Sequence, residues 1–371
     1  MKLFFITNTI GEHGGSERMT KKLLEELLFR GHELFIFTSC NFRLAGAKTF
    51  VTKTFGHHAF HKAEMLFFAK KAIKLAKEFK PDIVHSHSNS LMGLIGHLIK
   101  KELGIPHVFS IEMLSPKTKS VHGKAIFLSE KFLIPKLNYD AITSWSDKPH
   151  KEYLIPWGIK KEKLFVIPPS VDLTDYGLDA DPSEIRQKFG ESLLTSLKTL
   201  AGLNTIALKE IIDAIPFIIE KHPEFRYVIF GDGPGKKTLE NYVVQKNLSG
   251  HVFLPGAIDP KDCSKVWAAT KIAPHAFAFD LTIGISFLEY MAFGVPCVAT
   301  DVGDIKNLVG AAVIFAQPKN AADFAEKTIK LIEDKKMRKT LSEKSRRLVK
   351  DKFNLKKVGK QLEKIYEAVK K

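Results

Sequence analysis

A chain of 371 residues is long enough for two domains, each burying its own core. At 44% hydrophobic and 26% charged it has the composition of a water-soluble globular protein, and no run of roughly eighteen apolar residues suggests a membrane span. The formal net charge is +16, and residues 1–172 hold 26 Lys and Arg against 16 Asp and Glu, a basic front half suited to anionic lipid headgroups, nucleic acid or phosphorylated substrates. Cys40, Cys263 and Cys297 are far apart and lack metal-ligand spacing, as expected of reduced, packed thiols. The opening MKLFFITNTIGEHGG turns polar too soon for a signal peptide, so a cytoplasmic location is expected.

Short apolar runs alternate with helical periods, the pattern of parallel sheets covered by helices on both faces. LFFITN (Leu3 to Asn8) reads as a first strand, followed by a glycine turn at Gly14 and Gly15 and a helix ending near Gly31. ELFIFTS is a second strand. Met65 to Lys80 reads as an amphipathic helix with Phe67, Phe68, Leu75 and Phe79 beside a lysine-rich face, suited either to the core or to a membrane surface. DIVHSHS and HVFSIE are further strands. In open α/β sheets ligands gather at the carboxyl ends, so Gly14, Gly15, His85, His87, Ser110 and Glu112 are expected to face one crevice. AITSWS (Ala141 to Ser146) and LFVIPPSVD (Leu164 to Asp172) complete the first domain, residues 1–172.

Residues 173–194 are polar and turn-rich, as in a linker with a short helix. A second α/β domain, residues 195–352, begins with LKTLAGL as its first strand, then the helix ALKEIIDAIPFIIEKH, the strand YVIFGDGPG, a helix near Lys236 to Lys246, and the strand VFLPGA. GDGPGKK lacks phosphate-loop spacing, because Phe230 stands where the first glycine belongs; a tight strand-to-helix turn is expected there. The segment Asp280 to Asp304 carries most information. Gly284 permits close backbone approach, the amides of Ile285 and Ser286 open a helix whose free N–H groups suit a diphosphate, and Glu289 lies near enough to reach a ribose diol. Gly294-Val295-Pro296 stops that helix, and CVAT is a buried parallel strand. After about Phe324 only helix is readable.

The ordered motifs GGSER at Gly14 to Arg18, RGHELFIFTS, PDIVHSHS, VIPPSVD, FGDGPG and GISFLEYMAFGVPCVATDVG together resemble the retaining GT-B glycosyltransferases that use sugar nucleotides, often called family 4. The resemblance runs nearly end to end. It implies two Rossmann-like parallel-sheet domains facing a central cleft, the acceptor side first and the donor side second, with a final helix from about residue 353 to 371 crossing back to the first domain. It implies a nucleotide-sugar donor, a glycan, lipid-linked or small-molecule acceptor, peripheral contact with an anionic membrane, and neither metal nor nucleic acid.

Carried over by position, Gly15 lies beside the donor diphosphate, Gly284, Ile285 and Ser286 offer amides to it, and Glu289 binds ribose hydroxyls. Three positions depart from the family. Its Gly-Arg pair reads Gly202-Leu203 and its following lysine is Ile206, so Lys209 is the candidate replacement cation. Its first paired glutamate falls on Leu281 or, with a one-residue shift, on Asp280. A histidine common after VFSIE is replaced by Glu112, which either binds sugar hydroxyls and takes a proton or is an idle loop acid. Catalytic expectations therefore rest on Glu112, Asp280 and Glu289. The alternative is a non-catalytic GT-B protein that has lost its donor grip.

Overall fold

In a computed structural model of the chain, the described residues are all but 12–13, 53–61, 113, 115–120, 176–178, 278–282 and 371; the side chains of 62–66, 121–126 and 203 are also excluded. Thirteen strands and thirteen α-helices follow in chain order. They are β1 (Lys2–Thr7), α1 (Gly15–Phe29), β2 (Glu33–Thr38), β3 (Lys48–Val51), α2 (Lys62–Phe79), β4 (Ile83–Ser88), α3 (Ser90–Leu103), β5 (His107–Ile111), α4 (Val121–Leu133), β6 (Ala141–Ser144) and β7 (Leu164–Val166). Then come α5 (Ser183–Phe189), β8 (Leu193–Leu197), α6 (Gly202–Lys221), β9 (Arg226–Phe230), α7 (Lys236–Gln245), β10 (Val252–Gly256), α8 (Cys263–Ala269), β11 (Thr270–His275), α9 (Ile285–Phe293), β12 (Cys297–Thr300), α10 (Ile305–Val309), β13 (Ile314–Ala316), α11 (Ala321–Glu333), α12 (Lys335–Lys352) and α13 (Leu355–Lys370).

The chain divides into two compact units, one of Met1–Ser170 with Leu355–Lys371, the other of Val171–Asn354. In the first, seven parallel strands run in the order β3-β2-β1-β4-β5-β6-β7; in the second, six run β10-β9-β8-β11-β12-β13. Central strands are apolar on both faces because helices cover both faces. Leu3 and Phe5 pack under α1 and α13, while Phe4 and Ile6 pack under α2 and α3. In the second unit, Leu194, Tyr227 and Ile229 meet α6 and α11, while Leu193 and Val228 meet the opposite layer with Val266.

The last helix joins the first unit because its apolar stripe demands it. Leu355, Val358, Leu362, Ile365 and Tyr366 recur at helical spacing and are buried, and Leu355, Leu362, Ile365 and Tyr366 pack into the same core as Leu24 and Leu27. Arg30 donates to Glu363 at 2.8 Å, and Gly359 lets Glu26 and Arg30 pass close to α13. Helix α2 packs Phe68, Ala72, Ala76 and Phe79 inward, yet Phe67 stays 68% exposed beside the lysine face.

The second domain's first strand differs from the sequence reading. The strand is LLTSL, Leu193–Leu197, and LKTLAGL supplies only its last residue, the turn and the start of α6. The reason is packing: Leu200 is fully buried as a plug in the turn, and Gly231, Gly233 and Gly235 lie against the backbone of Lys198 and Leu200. Residues 173–194, read as a linker, accordingly hold α5 and the first two residues of β8, with Ile185 in the second unit's core. Strands β3 and β13 are short, and they and the six-residue β11 are not separated from their flanks in the sequence.

Candidate functional site

Each sheet reverses its strand order once, between β1 and β4 in the first and between β8 and β11 in the second. Chains leave the two strands beside a reversal in opposite directions, which opens a crevice at their carboxyl ends. In the second unit the residues at that place are Lys198, directly after β8, and His275, the last of β11. Lys198 Nζ lies 2.7 Å from His275 Nε2. His275 is buried between the rings of Phe277 and Phe287, at centroid distances of 4.5 and 4.7 Å. Burial pushes the Lys198 ammonium down to about 7 and, with the nearby Lys198 charge, holds the His275 imidazole well below its usual range.

Helix α9 begins over this pair. A Cβ placed on Gly284 would stand 3.6 Å from His275 Nε2, so the imidazole nitrogen lies directly beneath the helix start. Gly284 is the N-cap with extended backbone and brings no capping side chain. Its carbonyl accepts from Phe287 and Leu288, while among the described residues the amides of Ile285 and Ser286 donate to no backbone carbonyl. The helix is fixed by Tyr290, whose hydroxyl lies 2.7 Å from Thr195 Oγ1 on β8, itself 2.6 Å from Thr270 Oγ1 on β11. At its far end Gly294 takes the left-handed conformation, φ 87°, and β12 follows.

Glu289 is only 5% exposed. The carboxylate expected to reach a ribose diol is thus largely buried on α9. Asp280 and the alternative Leu281 lie outside the described residues. Gly202 is the first residue of α6 at φ 50°, and Ile206 is 53% exposed. Lys209 is not brought to the α9 start: its ammonium sits 4.7 Å over the Tyr242 ring on α7. The cation that reaches this crevice is Lys198, which the sequence reading missed because it placed the strand over that residue instead of ending it there. GDGPG is a packing turn: a Cβ on Gly231 would meet the Lys198 carbonyl oxygen at 1.7 Å, and one on Gly233 the Leu200 oxygen at 2.6 Å.

In the first unit, Gly14 caps α1 and Gly15 opens it, but Glu17 folds back so that Gly14 N–H donates to its Oε2 at 3.2 Å. The start of α1 therefore already carries an acid. The histidines separate in role. His85 is consumed inside the core, bonding Tyr366 through Nδ1 and Ser110 through Nε2 at 2.7 Å, with Ser110 2.5 Å from Thr143. His87 and Glu112 meet at the sheet's carboxyl edge, His87 Nε2 to Glu112 Oε1 being 3.3 Å. Burial raises the Glu112 carboxyl to about 8 and lowers His87 to about 4, so the two are uncharged at neutral pH. His87 Nδ1 and Glu112 Oε1 have no hydrogen-bond partner among the described residues. Of the six residues expected to share a crevice, His85 and Ser110 belong to the core network instead.

Two doubly wound parallel sheets, the second with an uncapped helix start and basic side chains at its switch point, define a Rossmann-like architecture suited to an anionic ligand. The family model described as Glycosyl transferases group 1 matches residues 204–348, and that of Glycosyltransferase Family 4 matches residues 13–175. Alpha-monoglucosyldiacylglycerol synthase of Streptococcus pneumoniae is 24% identical over 83% of this chain and 73% of its own. N-acetyl-alpha-D-glucosaminyl L-malate synthase of Bacillus anthracis is 22% identical over 95% and 93%. The solved structure of Anabaena Alr3699/HepE in complex with UDP and glucose superposes with a TM-score of 0.82 at 17% identity, over 99% of both chains. The chain belongs to the group 1 glycosyltransferases of the GT-B fold, enzymes that transfer glycosyl groups.

Proposed function

We propose that the protein moves a sugar from a nucleotide-sugar donor to a glycan or lipid-linked acceptor, with retention of anomeric configuration and without a metal. The observation that carries the donor half is the uncapped start of α9, set over Lys198 and His275 at the switch point of the second sheet. As the glycosyl bond breaks, the departing diphosphate gathers negative charge. The amides of Ile285 and Ser286 and the Lys198 ammonium are fixed donors for that charge, and Glu289 holds the ribose. Such donors lower the barrier only because they are held in place beforehand, which the Tyr290–Thr195–Thr270 chain does.

The first unit supplies the acceptor side. A neutral Glu112 both donates and accepts hydrogen bonds, so beside His87 it reads a sugar or acceptor hydroxyl. A lipid-linked acceptor is favoured by the basic first unit and its exposed apolar side chains: Phe67 beside Lys70, Lys71 and Lys74 on α2, and Leu128 and Phe132 beside Lys131 on α4. Those faces suit peripheral contact with an anionic membrane. Among the described residues no helix is long and apolar enough to cross one.

Thermal-shift and calorimetric screening against UDP, GDP, ADP and their sugars tests the donor, and proton NMR of the product's anomeric coupling tests retention. Turnover in excess EDTA is expected to equal turnover without it. A second reading, a binding protein without turnover, draws on the exposed Ile206 and the distant Lys209. Nucleotide binding with no transfer or donor hydrolysis would select it.

A further inference from the structure

We infer that Lys198 and His275 act as a hydrogen-bonded pair that is uncharged at rest in alkaline solution and takes up one proton when a nucleoside diphosphate seats on the start of α9, making donor binding proton-coupled. This rests on the donor reading above and adds to it how the site's charge is switched.

Geometry sets the resting state. Nitrogens 2.7 Å apart are hydrogen-bonded, which requires a lone pair on one of them. Either the lysine donates as an ammonium to a neutral imidazole, or a neutral amine accepts from the imidazole N–H. Two full cations at that separation repel strongly in so enclosed a place. The rings of Phe277 and Phe287 wall the imidazole, and the Phe277 centroid is 6.0 Å from Lys198 Nζ, so water does little to relieve that repulsion. Burial pulls both groups toward their neutral forms, Lys198 to about 7.

Among the described residues, neighbouring elements offer little standing compensation. The turn after β9 carries Asp232, whose carboxylate accepts from Gly233 N–H at 2.7 Å. The residue after β12 is Asp301, paired with Lys306 at 3.0 Å. Glu289 lies one turn into α9. A diphosphate reaching the Ile285 and Ser286 amides brings opposite charge beside the pair, because the start of α9 lies over His275 Nε2. Opposite charge favours the ammonium form of Lys198, which then donates to the neutral His275 imidazole.

The test is isothermal titration of UDP, GDP and ADP into the full-length protein at about pH 8.5, where the nucleotide phosphates are fully ionised. It is run in phosphate, HEPES and Tris, which differ in ionisation enthalpy. For the nucleotide that binds, the observed enthalpy is expected to vary linearly with buffer ionisation enthalpy, with a slope of roughly 0.5 to 1 proton taken up. Lys198→Met is expected to abolish the slope and weaken binding about ten- to a hundredfold, while Lys198→Arg, charged at every pH used, restores binding with no slope. Binding by the unmodified protein with zero slope overturns the proposal and leaves the donor reading intact. Failure of all three nucleotides to bind overturns both.

Discussion

The hydroxyl of Tyr366, on the last helix, bonds Nδ1 of His85, on the central strand of the first sheet, with the two rings edge to face at 5.6 Å. The bond ties the returning chain end to a relay that continues through Ser110 and Thr143. His85 and Tyr366 are both fully buried, so the imidazole has no water to fall back on. Tyr366→Phe is expected to cost about 1–3 kcal/mol, because it strands a polar nitrogen in the core while removing little volume. Urea unfolding followed by circular dichroism measures it; a loss below about 0.5 kcal/mol would show the bond to be dispensable.

The Glu112 carboxyl sets a pH dependence of stability with a definite sign. Its folded value is raised from 4.5 to about 8 by burial, so between those values the folded protein keeps a proton that the unfolded chain has released. Stability contributed by Glu112 is therefore full below 4.5 and drains away as pH rises to about 8. His87, depressed to about 4, works the other way in acid but is present in both proteins compared. The Tm of Glu112→Gln minus that of the unmodified protein should grow across that window by a few degrees and then level off. A difference independent of pH contradicts a buried neutral acid at this position.

Gly233 stands at φ 147° with Leu200 oxygen 2.6 Å from where a Cβ would be. Gly233→Ala must push back the turn that follows β8, the turn that sets Lys198. We expect a loss of about 2–4 kcal/mol in unfolding free energy, together with weaker nucleotide binding. Normal stability with normal binding would show that the turn yields cheaply.

Glu289→Gln and Lys209→Ala separate the donor-site residues. With Glu289 one turn into α9 and assigned to the ribose, its amide replacement is expected to lower nucleotide affinity about ten- to a hundredfold, an effect of roughly 1.4–2.8 kcal/mol. Lys209→Ala removes only a cation over a half-buried ring on α7, so affinity should stay within about twofold and stability fall by about 0.5–1 kcal/mol. Calorimetric titration of both variants checks this; a large loss for Lys209→Ala would return that lysine to the site.

What could be read in the sequence was what neighbours along the chain decide. Glycine before an amphipathic run marks the starts of α1 and α9, Gly294-Val295-Pro296 ends α9, and the stripe from Leu355 to Tyr366 announces a helix that must cover a core. Alternation of apolar runs with helices likewise announced two parallel sheets. Reading failed where local signals were ambiguous. LLTSLKTLAGL offers two overlapping apolar runs, and nothing short of the packed glycines of residues 231–235 shows that the strand stops at Leu197.

Tertiary structure alone decided which distant side chains meet. Lys198 and His275 are 77 positions apart and become partners because β8 and β11 are adjacent at the reversal of the second sheet. His85 is withdrawn from any ligand by a tyrosine 281 positions away, and Glu112 is uncharged because the fold buries it against His87. Backbone propensity and periodicity act over a few residues, whereas burial and partner choice depend on strand order, which no short stretch of sequence contains.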